Sequence, residues 1–114
     1  MKQFHEIDMS DYGIGKKEAL ELKYFCLSYP EKQAKLLKLA KDTSEEGRAE
    51  YKRLEKDIKA IHTAVTIAVE GQPGMLEPLL RNLTRNESIQ KMPCGVNQAY
   101  QYRKRAFLIL KKIK

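Results

Sequence analysis

The segment that most restricts the fold lies at residues 51–68. Tyr51, Leu54, Ile58, Ile61, Val65 and Ala68 recur there at spacings of three and four. That is the period of one helix face, sustained as an a/d seam over about two and a half heptads. Lys52, Arg53, Glu55, Lys56, Asp57 and Lys59 fill the opposite side. The pattern predicts a long central helix that begins at Glu45 or Arg48 and ends near Glu70. Thr43 or Ser44 is placed to cap it, with Glu45 and Glu46 close behind. After Ala60 the charges stop and β-branched residues gather (Ile61, Thr63, Val65, Thr66, Ile67, Val69). This end is therefore expected to be buried on several sides. A buried strand over residues 63–69 is the competing reading, but no second strand candidate is available to pair with it.

The rest of the chain parses into shorter helices around this one. Residues 1–15 have no periodicity, and Gly13-Ile-Gly15 reads as a flexible lead into the first helix. From Lys16 to about Tyr29, Leu20, Leu22, Phe25 and Cys26 cluster at helical spacings. Pro30 interrupts and can open a second helix, whose apolar side uses Leu36, Leu37, Leu39 and Ala40. Gly71-Gln-Pro-Gly74 is a clear break. Leu76, Leu79, Leu80 and Leu83 form a short amphipathic helix, and residues 84–92 read as another, with Ile89 and Met92 inward. Pro93-Cys-Gly95 is a tight turn. The last helix spans residues 96–113, with Ala99, Tyr102 or Arg103, Ala106, Phe107, Leu110 and Ile113 on its apolar face. A chain of 114 residues holds one such domain. The expectation is an all-α fold of five or six helices, with residues 1–72 as a dimerisation or partner-binding region and residues 73–114 as a DNA-binding region.

Charge narrows the function. The net charge is +7, and it is segregated. Residues 1–80 carry 13 basic and 14 acidic side chains; residues 81–114 carry nine basic ones against a single acid, Glu87. A basic end on a near-neutral body is the footprint of a polyanion binder. No apolar run reaches the ~20 residues of a membrane span, and the start lacks the apolar stretch of a leader, so a cytoplasmic protein is expected. Two cysteines without CxxC spacing fit a reducing compartment and argue against a disulfide scaffold or a zinc site. No metalloprotease, phosphate-loop or nucleophile motif occurs, so neither an enzyme nor a cofactor is expected. His5 and His62 read as surface residues. The Asn82 and Asn86 sequons are discounted in the absence of a secretion signal.

The constellation that carries function is a short helix over residues 87–92, a three-residue turn at 93–95, and a long basic helix. Helix-turn-helix readers place the start of such a second helix in the major groove. Val96, Asn97, Gln98, Tyr100 and Gln101 would face bases there; amides are the type that pairs with adenine. Arg103, Lys104 and Arg105, one turn on, with Lys91 and Arg85 nearby, would hold phosphates. Tyr51, Leu54, Ile58, Ile61 and Val65 form either a dimer seam or ordinary packing of the central helix.

Glu87-Ser-Ile-Gln-Lys-Met-Pro-Cys-Gly95, followed by Tyr100-Gln-Tyr-Arg-Lys-Arg-Ala-Phe-Leu-Ile-Leu110, resembles the C-terminal helix-turn-helix of small RinA/ArpU-like late transcription regulators of phages of Gram-positive bacteria, itself similar to region four of sigma factors. Tyr12-Gly-Ile-Gly, Glu21-Leu-Lys-Tyr-Phe-Cys26 and Tyr29-Pro30 are similar to a recurring opening in such proteins. Ile89, where many of these helices have alanine, and Gly95, where a Ser or Thr cap is usual, depart from the pattern. The resemblance implies a transcription regulator acting at a phage late promoter in the host cell, such as one controlling packaging or lysis genes. The expectation is a non-enzymatic protein bound to double-stranded DNA, as a homodimer because two-fold pairing doubles the contacts, with the N-terminal helices dimerising or contacting a partner such as host RNA polymerase. The readings set beside it are a small phage effector that inhibits a host protein and a DNA-packaging recognition subunit.

Overall fold

Ser44 fixes where the longest helix begins. Its Oγ accepts from the Gly47 N–H at 3.0 Å, and Glu45 and Glu46 occupy the positive first turn. In the computed structural model, which describes residues 13–113, the chain folds as five α-helices among those residues. They are α1 (Lys16–Leu27), α2 (Tyr29–Leu39), α3 (Glu45–Ala68), α4 (Leu76–Arg85) and α5 (Val96–Ile113). Single 3₁₀ turns at Pro73–Met75 and Ile89–Lys91 lie before and after α4. No strand occurs among the described residues, so residues 63–69 are helical up to Ala68.

Helix α3 is the spine, and α2 and α5 pack along it. Ile61, Ala64, Val65 and Ala68 join Leu22, Cys26 and Tyr29, the α4 leucines Leu79, Leu80 and Leu83, and α5's Ala99, Tyr102, Ala106, Phe107 and Leu110 in one core. Each large apolar side chain buried there contributes about 1.5–3 kcal/mol. The core crosses the boundary between residues 1–72 and 73–114, and the two regions pack as one body.

The seam is resolved by this packing. Leu54, Ile61 and Val65 are buried and Tyr51 and Ile58 half-buried within the chain's own fold. Ile61 and Val65 thus belong to the chain's own core and Ile58 packs against it, while Tyr51 and Ile58 keep part of their surface open.

Several expectations are corrected. Helix α2 starts at Tyr29, one residue before Pro30, and among its residues only Tyr29 is buried; Leu37 is 79% exposed. The C-terminal half of α3 is not covered on every side, since His62, Thr63, Thr66 and Ile67 face solvent. Ile113 is also exposed. The lead into α1 is anchored rather than loose. Ile14 is 1% exposed, and the Gly13 carbonyl accepts from Lys111 Nζ at 2.6 Å. Gly13 has φ +74, a geometry open to glycine. His5 and Tyr12 lie outside the described residues.

The largest correction concerns residues 87–92, which do not form an α-helix. Helix α4 runs on to Arg85 and stops at Asn86, whose backbone is left-handed (φ 54, ψ 33). The Glu87 N–H then turns back toward the Arg81 carbonyl at 3.5 Å, as in a helix-ending cap. Asn82 Nδ2 donates to the Glu87 carbonyl at 2.7 Å and holds the chain in that turn. Met92, which precedes Pro93, is forced into extended geometry (ψ 136). Between these two stops only the turn Ile89–Lys91 fits. The connection from α4 to α5 is therefore residues 86–95, not a three-residue turn between two α-helices.

Candidate nucleic-acid interface

Helix α5 has two faces of different chemistry. Ala99, Tyr102, Ala106, Phe107 and Leu110 are buried. Ala99 is fully enclosed where the helix crosses its neighbours, and its N–H donates to the Gly95 carbonyl at 2.9 Å to start the helix. At about 100° per residue, Asn97, Gln101 and Lys104 fall on one line away from the buried side; the line ends at Leu108, a half-buried residue packed against the core. Gln98, Arg105 and Lys112 form a second line beside it. Asn97, Gln98, Gln101, Arg105 and Lys112 are exposed, and Val96 is half in solvent at the helix start. Tyr100 and Lys104 are half-buried at the edge. Helix α5 contains no acidic residue.

Arg103 does not belong to this outer face. It turns toward α4, where Nη1 donates to Asn82 Oδ1 at 2.5 Å. Its guanidinium lies 5.3 Å from the centre of the Phe107 ring. Burial lowers the Arg103 pKa, and the nearby Cys26 and Tyr100 oppose that shift; a guanidinium stays charged at neutral pH all the same. Arg103 is thus a fastening between α4 and α5, beside Cys26 of α1. The spacing left Tyr102 and Arg103 as alternatives for the inward position; the structure turns both inward, Tyr102 buried and Arg103 at its edge.

The other cations divide in the same way. Arg81 is held by Glu87 at 3.2 Å and by Glu77 at 3.8 Å, which occupies the single acid of residues 81–114. Lys111 pairs with Glu18 at 3.3 Å. Arg85, Lys91, Arg105 and Lys112 are exposed and have no carboxylate partner among the described residues; the Arg105 guanidinium sits 5.7 Å from the Tyr102 ring centre. Lys91 projects from the 3₁₀ turn and Arg85 from the last turn of α4. The uncompensated charge is therefore at Arg85, Lys91, Arg105 and Lys112, a narrower set than the sequence alone indicates.

Two features escaped the sequence reading. Asn82 is buried and bridges the Glu87 carbonyl to Arg103, so this sequon asparagine is enclosed. Thr84 is buried too, its hydroxyl donating to the Leu80 carbonyl at 2.6 Å. Polar residues on the leucine side of a short helix were the available signal. Among the described residues no group of three or more His, Cys, Asp or Glu side chains is arranged to hold a metal ion, and no helix is long and apolar enough to cross a membrane. Comparison with protein-family models, curated proteins and solved structures finds no match to this chain.

Proposed function

We propose that this chain binds double-stranded DNA through the outer face of α5 and acts as a transcription regulator of the phage late-gene type that its sequence resembles. The observation that carries the reading is the chemistry of that face. Three exposed amides, Asn97, Gln98 and Gln101, stand at the start of an acid-free helix whose other side is fixed in the core. Amides of this kind can pair with base edges, above all adenine. Arg105 and Lys112 follow them, with Lys91 beside the helix start, as groups for phosphates. A two-fold homodimer would double the contacts on an operator. The faces of α1 and α2 turned away from the core are left for RNA polymerase or a second copy.

The test is selection from randomised duplexes at two salt concentrations. Enrichment of one motif that survives at the higher salt is the expected result. Asn97→Ala and Gln101→Ala then relax the base preference. Arg105→Ala and Lys112→Ala instead weaken binding to all sequences and reduce the salt slope by about 0.9 log unit per lost phosphate contact. Binding that enriches nothing and is unchanged in both sets overturns the proposal.

A second reading, an effector that docks on a host protein, draws on three exposed apolar side chains. Leu20 and Tyr24 share one face of α1, and Leu37 stands out from α2. Loss of a captured partner on Leu37→Ser, with DNA binding absent, would favour it.

A further inference from the structure

A polar cavity of about 260 Å³ opens between α2, α3 and α4, away from the amides of α5. Tyr29, Gln33, His62, Glu77, Arg81 and Arg85 line it. Tyr29 belongs to the core and is only 7% exposed. Its hydroxyl has no hydrogen-bond partner among the described residues, yet no fully enclosed side-chain polar atom there is unpartnered. The hydroxyl therefore meets solvent, and the cavity is where Tyr29 opens. Burial first, then Glu77, pushes the Tyr29 pKa up, while Arg85 pulls it down; the group is a neutral phenol and a donor at physiological pH.

The charges that line the cavity are not equivalent. Arg81 is occupied by Glu77 and Glu87. Arg85 has neither an ion pair nor a hydrogen bond among the described residues. Both carboxylates are set against Arg81, so Arg85 is the lining guanidinium left without a carboxylate of its own among the described residues, next to a neutral hydroxyl donor. A guanidinium fork matches phosphate oxygens two at a time. The volume falls below the ~300–1,000 Å³ of sites for whole drug-sized ligands, which suits one anionic group rather than a complete cofactor.

We propose that this cavity binds a single phosphate group, with Arg85 as its cation and the Tyr29 hydroxyl and Gln33 amide as its neutral donors. The inference does not rest on the DNA reading of α5. The phosphate can belong to a free phosphorylated small molecule or to the DNA backbone, and the two sources separate by experiment.

The full chain, isotopically labelled, is titrated with inorganic phosphate at constant ionic strength, against a chloride control, while the resonances of Tyr29, His62 and Arg85 are followed by NMR. The expected result is a saturable shift with a dissociation constant of millimolar order, weakened about tenfold by Arg85→Gln and about threefold by Tyr29→Phe. Arg85 is exposed and Tyr29→Phe keeps the ring, so both variants retain the fold, which a thermal melt verifies. If Arg85→Gln also lowers the salt slope of duplex binding by about 0.9, the phosphate comes from the backbone. If the slope is unchanged while phosphate binding is lost, the ligand is a free molecule. The absence of a saturable shift with phosphate, or equal binding by Arg85→Gln, overturns the proposal. A chain that binds phosphate but no duplex keeps this site and loses only the α5 reading.

Discussion

Replacing Arg103 by alanine should cost fold stability rather than DNA contacts. The change removes a charged hydrogen bond to Asn82 Oδ1 and leaves that oxygen in a buried residue without its partner, a loss of about 1.5–3 kcal/mol. It also removes the stacking over Phe107, worth about 0.5–2 kcal/mol. Against this, the charged guanidinium is held where burial disfavours it, and its removal recovers part of the loss. The balance is about 2 kcal/mol of destabilisation. For a chain of this size that lowers Tm by roughly 8–10 °C. Arg103→Met keeps an apolar stem over Phe107 but still strands Asn82, so it should fall by about half as much. In a double-mutant cycle with Asn82→Ala, the two changes should couple by about 1 kcal/mol or more. Thermal and urea melts of the four proteins read these quantities. An unchanged Tm for Arg103→Ala, together with weaker duplex binding and a shallower salt slope, would refute the reasoning and return Arg103 to the phosphate-facing set.

Three further outcomes follow from the same structure. Asn86→Ala should cost about 1 kcal/mol in a urea melt, because alanine resists the left-handed geometry that ends α4, while Asn86→Gly should be neutral or slightly stabilising. Arg53, and then Lys35 at 3.1 Å across the α2–α3 hairpin, lower the Glu50 pKa from its ordinary 4.5. A depressed folded-state pKa stabilises fully above 4.5 and fades as pH falls through the lower folded value, so the Tm difference between wild type and Glu50→Gln should vanish in acid. The Cys26 thiol, pushed up to about 12 by burial, should resist alkylation at neutral pH in the native chain and react only on unfolding; mass spectrometry after brief alkylation, with and without denaturant, reads both states.

How much of this was legible in the sequence depends on whether local chemistry or long-range contact decides each element. The three-four spacing of Leu54, Ile61 and Val65 marks α3 because a helix face must match its period wherever it packs. What that face packs against is not periodic information, so a partner seam and an intrachain seam read alike. A cap at Thr43 or Ser44 and a break at Gly71 were legible, since each acts on its own backbone; the structure assigns the cap to Ser44. The segment at residues 87–92 misled because its apolar spacing suits a helix, while the stop is imposed from five residues upstream by Asn82 binding the Glu87 carbonyl. Ile14 was hidden between two glycines. It stands just before the residue that opens α1, the position a hydrophobic staple uses. Helical spacing offered Tyr102 or Arg103 for the inward position but could not say that both turn in, because the partner that draws Arg103 inward, the buried oxygen of Asn82, lies 21 residues away.

The division of α5 into an enclosed side and an open side has a consequence for how such a protein can change over generations. Residues at 97, 98 and 101 are exposed, so each can be exchanged for another polar residue at a cost within about 0.5 kcal/mol. Residues at 99, 102, 106 and 107 admit few replacements, because their neighbours from other helices are close-packed. The helix can therefore drift quickly along one edge and hardly at all along the other. Descendants of this chain could change the chemistry of that open face while keeping an unchanged body, and their kinship would survive longest in the turns of α5 that face inward.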